Sequence, residues 1–359
     1  MSVVFLNSHR AKSGLLNGKR LPPAYVLACK FFDCGIIDRT HTLDVGFEQK
    51  VLDEIPDRAA DADTTFADVC DATARAIIAE ATEQNQRIQV LWSGGIDSTV
   101  ALVALINHLP KEDRDRLAVV LSMDSINEYP VFFRRFILRE LPFRVIQPPI
   151  TDHFSDTGLI VTGEHGDQLF GSDKLLPLIV NQLAFEDYGS VLPIYLTHKF
   201  GDIRKVDTLI DYLQPLIQAC PQPITTTFDL FWWLNFTVKW QQVSLRMPVF
   251  SFQENVQSLY YRFRHFFRRD DFQRWSLNNH ADRVAASVEA YKQPAKEYIF
   301  RYTNDEIFLQ QKSKEPSLKN VLINRKKQGN ERYRVVMEED FQPIIEIFHQ
   351  QYKNKNVAS

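Results

Sequence analysis

The chain has 359 residues, 42 Lys+Arg against 45 Asp+Glu, and a formal net charge of −3. With 45% hydrophobic and 24% charged residues it matches ordinary globular composition, which excludes disordered, collagen-like and disulfide-scaffold classes. Glycine is scarce at 13, and five of the 13 (Gly94, Gly95, Gly163, Gly166 and Gly171) fall in two short segments.

The N-terminal sequence Met-Ser-Val-Val-Phe-Leu lacks the basic-then-apolar pattern of a signal peptide. The longest apolar run, 100–106, is far short of the ~20 residues of a spanning helix. Cys29, Cys34, Cys70 and Cys220 are expected to be reduced and buried, as in a cytoplasmic protein. Cys29, Cys34 and His41 lack a suitably spaced fourth ligand, which weighs against zinc.

In chain order, residues 1–63 read as an irregular N-terminal extension with an apolar run at 24–32. Phe66, Val69, Ala72, Ala76, Ile77 and Ala81 follow helical spacing. Residues 87–92 read as a strand, 98–109 as a helix ended by Pro110, and 117–122 as a second strand. A helix over 131–141 and strands at 143–146 and 159–162 follow. Strands alternating with helices predict an α/β fold with a doubly wound parallel sheet in a domain spanning 64–175. Beyond it, 203–219, 229–244, 254–268 and 282–292 all read as helices, so 176–359 is expected to be a mostly helical substrate region.

Charge is uneven. Residues 1–180 carry 18 basic and 25 acidic residues, and 181–359 carry 24 and 20. The strongest basic run lies between Lys312 and Arg334, either a solvated surface or a binder of phosphate or nucleic acid.

The chemistry centres on Val90-Leu91-Trp92-Ser93-Gly94-Gly95-Ile96-Asp97-Ser98-Thr99, a buried strand, a glycine turn and a helix start. Adjacent glycines let backbone N–H groups approach an anion, Ser93 and Ser98 add hydroxyls, and the following helix turns its positive end toward the loop. Asp97 would repel a bare phosphate but suits a Mg2+ that bridges to one. The segment 14–20 (Gly-Leu-Leu-Asn-Gly-Lys-Arg) is a decoy for the Walker loop, one residue short and without Ser/Thr after its Lys.

Ser93-Gly94-Gly95-Ile96-Asp97-Ser98 resembles the pyrophosphate (PP) loop of the N-type ATP pyrophosphatases, the superfamily that includes asparagine synthetase, GMP synthetase and tRNA-lysidine synthetase. The resemblance implies an adenine nucleotide alpha hydrolase-like sheet that binds ATP and Mg2+, with adenine read around Leu121–Met123. Gly163-Glu164-His165-Gly166-Asp167-Gln168-Leu169-Phe170-Gly171-Ser172 is similar to the asparagine-synthetase segment Gly-Glu-Gly-x-Asp-Glu-Leu-Phe-Gly-Gly, departing at His165, Gln168 and Ser172. By that likeness Asp167 joins Asp97 on Mg2+ and Glu164 lies near the reacting substrate. Weaker likenesses are Ser244–Phe250 to the family's Glu-x-Arg-x-Pro-Phe, and Lys312-Ser313-Lys314 to its Arg-x-Lys, which implies Lys314 as the catalytic lysine, with Lys292 and Lys296 as rivals.

Asparagine synthetase also carries a glutaminase domain that begins with Cys after Met removal. Here residue 2 is Ser, and 86 residues precede the first sheet strand, too few for that fold. The expected activity is therefore an ATP-dependent ligase that adenylates a small carboxylate or similar oxygen. Its nitrogen would come from ammonia, another amine, an intramolecular nucleophile or a separate ammonia-supplying chain. A second reading is a nucleobase- or tRNA-modifying enzyme of the same superfamily, motivated by the basic run and by the aromatic-basic stretch 260–269. A third is a nucleotide-binding partner subunit without turnover.

Overall fold

In a computed structural model of the chain, the described residues are 2–58, 64–147, 149–154, 157–251, 256–312 and 335–338. Besides a short hairpin of Leu15–Leu16 with Lys19–Arg20, the strands are β1 (Val3–Leu6), β2 (Ile88–Leu91), β3 (Leu117–Leu121), β4 (Phe143–Val145), β5 (Leu159–Thr162), β6 (Phe263–His265) and β7 (Val335–Met337). β2 to β6 form one five-stranded sheet in the order β4-β3-β2-β5-β6, with every neighbouring pair parallel. The central strands are short and mostly apolar, Gln89 and Thr162 excepted, because helices cover both faces and leave no face that gains from polar alternation.

The strand order sets where a ligand can enter. From β2 the chain builds outward through β3 and β4, then crosses back to lay β5 on the other side of β2. Helices on either side of that reversal diverge and open a crevice at the carboxyl ends of the two strands. Register aligns those ends: Leu91 pairs with Val120 on one side and with Thr162 on the other. The loops after β2 and β5 therefore leave the sheet side by side.

Helix Ile96–His108 is buried on nearly every side because it lies between the sheet and two further helices, Phe66–Glu83 and Gln293–Thr303. Thr65 and Asp68 close a capping box at the start of helix Phe66–Glu83. Helix Thr227–Val238 is buried along its whole length, with Trp232, Trp233 and Phe236 among its core residues.

Several expectations need correction. Of the expected helix over 254–268, the described residues are α-helical at Val256–Arg262, and the chain then straightens into β6 against β5 before a 3-10 turn at Phe266–Arg268. Three residues are too few to show strand alternation, and aromatic and basic residues at close spacing imitate a helix. Over 282–292 only His280–Arg283 is helical, while a helix that the sequence reading missed runs Gln293–Thr303. The stretch 229–244 divides at Lys239 into helices Thr227–Val238 and Trp240–Phe250. The helix expected at 131–141 contains a π turn at Phe133–Ile137.

The N-terminal residues are tied into the body. β1 pairs antiparallel with β7, and helix Pro23–Phe32 carries the apolar run. Gln241 donates to the carbonyls of Val4 and Lys50, both at 2.7 Å, and Gln242 donates to that of Leu6. Buried Arg39 lies over the Trp240 ring and donates to the carbonyls of Phe236 and Asp53. Cys29, Cys34 and Cys70 are buried free thiols, and burial pushes Cys29 up to about 12 and Cys34 to about 11. Among the described residues no helix is long and apolar enough to cross a membrane.

Candidate functional site

The loop that leaves β2 is held from within by its own hydroxyls. Trp92 extends the ladder through its N–H to the Val120 carbonyl, and its indole N–H donates to Thr99 Oγ1 at 3.0 Å. Ser93 N–H donates to Ser98 Oγ at 3.0 Å, and Gly95 N–H to Ser93 Oγ at 3.2 Å. Gly94 has φ +81°, and a Cβ there would lie 2.4 Å from the Ser125 carbonyl oxygen. Only glycine fits a left-handed turn wedged so closely against the next loop. Helix Ile96–His108 starts at this turn, so its positive end faces the crevice.

The β5 loop closes on the same point. A Cβ on Gly163 would sit 2.5 Å from Ser98 N, and one on Gly166 would sit 2.3 Å from Asp97 Cγ. The second glycine cluster is thus the space in which the Asp97 carboxylate rests. Asp167 comes from the first turn of helix Gly166–Phe170, and one cation spans both acids: Lys292 Nζ is 2.5 Å from Asp97 Oδ2 and 2.7 Å from Asp167 Oδ1. Burial alone would pull this amine down, but Asp167 and Asp97 outweigh it and raise it above the usual lysine range. No group of three or more His, Cys, Asp or Glu suited to a metal occurs among the described residues. Two convergent carboxylates that already hold a cation suit Mg2+, which typically takes one or two protein carboxylates and completes its shell with water and substrate phosphates.

Glu164 is buried and paired with Arg246 of helix Trp240–Phe250. Burial raises its carboxyl above the usual range against the pull of Arg246, and the Asp167 and Asp97 charges add to the rise. The neighbouring departures from the asparagine-synthetase pattern have structural partners. His165, at φ +74°, is buried with Nε2 2.9 Å from Ser244 Oγ, and burial holds it well below the usual histidine range. Gln168 donates to Asn235 Oδ1, whose amide in turn donates to the carbonyls of Asp167 and Gly171. Beneath them His265 bridges the Thr162 hydroxyl and the Ser244 carbonyl, and Asp53 accepts from Ser244 and Arg268. Burial brings His265 down to about 3.

A third charge pair closes the glycine-loop side. Lys312 lies 3.0 Å from Glu128 Oε1, with both side chains mostly buried. Helix Glu306–Gln311 delivers Lys312 by stacking Phe308 on Tyr129, ring centroids 4.2 Å apart, while the Tyr129 hydroxyl donates to Asp305.

Asp97, Asp167, Lys292, Glu164, Arg246, Glu128 and Lys312 line one cavity of about 850 Å³. Of the sequence-predicted site residues, Ser93, Gly95, Asp97, Ser98, Leu121, Gly163, Glu164 and Asp167 line it, and Gly94 shapes the turn behind it. Met123 is 53% exposed and is not brought into the cavity, although Ser122 and Asp124 on either side are. Lys314 and the rest of the basic run to Arg334 lie outside the described residues. Of its rivals, Lys292 enters the site, while buried Lys296 donates to the Glu289 carbonyl instead. Sequence reasoning missed Glu128 and Asn235, and named Lys292 only as a rival of Lys314 without its contact to the two acids. The one local signal was Gln293-Pro294, a helix start that puts a lysine at the positive end of a helix, where a cation is unfavourable unless acids face it.

The aromatic-basic stretch 260–269 is built into the protein. Tyr260, Phe263, Phe266 and Phe267 are buried, Arg264 pairs with Glu80, and Arg268 pairs with Asp53. Compared with known protein families, curated proteins and solved structures, the chain gives no match.

Proposed function

We propose that this chain is an ATP-dependent synthetase of the N-type ATP pyrophosphatase kind, built on an adenine nucleotide alpha hydrolase-like sheet. An oxygen of the acceptor, a carboxylate or similar group, attacks the α-phosphorus of ATP, and the bond to the β-phosphate breaks to release pyrophosphate. Ammonia or an amine then attacks the activated carbon, and AMP leaves with the acceptor oxygen. Activation is needed because oxide is a poor leaving group at neutral pH, whereas AMP is a good one.

The observation that carries this reading is the convergence of Asp97 and Asp167, from loops after adjacent parallel strands, on one cation position beside a glycine turn and a helix N-terminus. In this reading Ser93, Gly94, Gly95 and Ser98 cradle the β- and γ-phosphates. The apolar wall of Leu91, Leu121, Ile146 and Ile150 takes the purine. Asp97 and Asp167 would hold Mg2+, whose charge offsets that developing on pyrophosphate. Glu164 is our candidate to take the proton that the amine sheds, its raised carboxyl matching the task. By the resemblance Lys314 remains the proposed catalytic lysine, and Lys312, two residues before it, lines the cavity. A cavity of 850 Å³ is large enough for a nucleotide and a small acceptor together. A cytoplasmic location goes with this reading, because ATP and Mg2+ are available there.

Burial of Tyr260, Phe263, Phe266 and Phe267 weighs against the aromatic half of the nucleic-acid alternative, whose other support, the basic run after Lys312, lies outside the described residues. The test is exchange of labelled pyrophosphate into ATP with Mg2+, screened over carboxylates and nucleosides. Exchange that depends on one acceptor class, and that falls about 10²-fold or more in Asp97→Ala, is expected. ATP binding without exchange for any acceptor or added amine source would favour a non-catalytic subunit instead.

A further inference from the structure

Lys292 sits where three unfavourable circumstances meet. Its backbone is left-handed, φ +61°, although it carries a side chain. It caps helix Gln293–Thr303 at the end where the helix dipole is positive. Its amine is withdrawn from water, with a side-chain exposure of 2%. Each of these is unfavourable in an ordinary protein site. What offsets them is the contact with Asp97 and Asp167 at 2.5 and 2.7 Å.

We propose that Lys292 is a built-in counter-ion that holds the cation position of the Asp97–Asp167 pair while nucleotide is absent, and yields it when a divalent cation arrives with the polyphosphate. The inference rests on the ATP reading above. Its logic is charge matching. Two carboxylates and one ammonium leave a net single negative charge at the cation position, too little to draw in a divalent cation against its hydration and against a fixed ammonium. A polyphosphate in the adjoining glycine turn changes both sides of the balance. It adds oxygen ligands for the cation, and it offers the displaced ammonium a second set of anions within reach of its flexible four-carbon stem. The turn and the carboxylates are close enough for this exchange, because Gly163 packs on the Ser98 amide and Gly166 on the Asp97 carboxylate. Lys292 thereby couples metal binding to nucleotide binding and halves the charge of the acid pair between turnovers.

The test is Mn2+ binding followed by electron paramagnetic resonance, with and without a non-hydrolysable ATP analogue, in the wild type and in Lys292→Met. Wild-type protein should bind Mn2+ weakly alone and tightly with the analogue. Lys292→Met should bind Mn2+ at least about tenfold more tightly than wild type without nucleotide, because no competing amine has to leave first. Adding Asp167→Asn to Lys292→Met should abolish that gain. Lys292→Gln provides a second variant, and Mn2+ alone should raise the melting temperature of either variant but not of the wild type. Wild-type protein that binds Mn2+ equally well with and without the analogue, at a site lost in Asp97→Asn, would overturn the counter-ion role and leave the ATP reading standing. Binding of the analogue without any Mn2+ uptake would remove the metal assignment, and the inference with it.

Discussion

Gly166 offers a direct test of the shared cation position, because its only evident task is to leave room for the Asp97 carboxylate. An added Cβ would lie 2.3, 2.4 and 2.7 Å from Cγ, Oδ1 and Oδ2 of Asp97, where ordinary contact begins at 3.4 Å. The backbone of Gly166 is within helix Gly166–Phe170 and lies outside the left-handed region, so alanine is sterically acceptable apart from this contact. In Gly166→Ala the carboxylate must therefore retreat by about 1 Å, and a misplacement of that size at a reacting centre costs about 10²-fold in rate. The overpacking itself should cost about 1–2 kcal/mol of stability. Pyrophosphate exchange measures the first effect and denaturant unfolding the second. Gly189→Ala, at the exposed start of helix Tyr188–Phe200, is the control expected to leave exchange unchanged. If Gly166→Ala folds and exchanges within about threefold of wild type, Asp97 does not act from the position described, and the cation site is misassigned.

Other perturbations probe the surrounding groups. Arg246→Ala leaves the buried Glu164 without its cation and should destabilise the fold by about 3 kcal/mol near neutral pH. Because Glu164 already titrates above its ordinary 4.5, the stability it contributes is present below that value and lost as pH rises, so the penalty should shrink as unfolding is measured from about pH 7.5 down to about pH 4.5. His265 has the opposite sign. Lowered from 6.5 to about 3, it favours the fold fully above 6.5, and that stability is lost as pH falls toward 3. His265→Gln should reduce the acid-side slope of stability against pH by about one proton, read from unfolding curves across that window. Phe308→Ala removes the ring stacked on Tyr129 and should cost about 3 kcal/mol locally, seen as faster amide exchange in Glu306–Gln311.

The sequence by itself determined the parallel strands 87–92, 117–122, 143–146 and 159–162 and the two glycine loops, because each is encoded by neighbours: a short apolar run, then glycines, then a helix start. Asp97 and Asp167 were legible as a pair for the same reason, since each follows its own strand directly. Tertiary structure decided what sequence distance hides. Lys292 is 195 residues from Asp97 and also binds Asp167, and both acids are far from it in the chain. Arg246 reaches Glu164 across 82 residues, and Asp53 reaches Arg268 across 215, so the N-terminal extension supports the floor of the site. β6 escaped notice because three residues take strand form only when β5 offers an open edge. Local pattern sets what a segment is able to form. Which charges end up facing one another is settled only when buried acids and amines from distant segments must neutralise each other away from water.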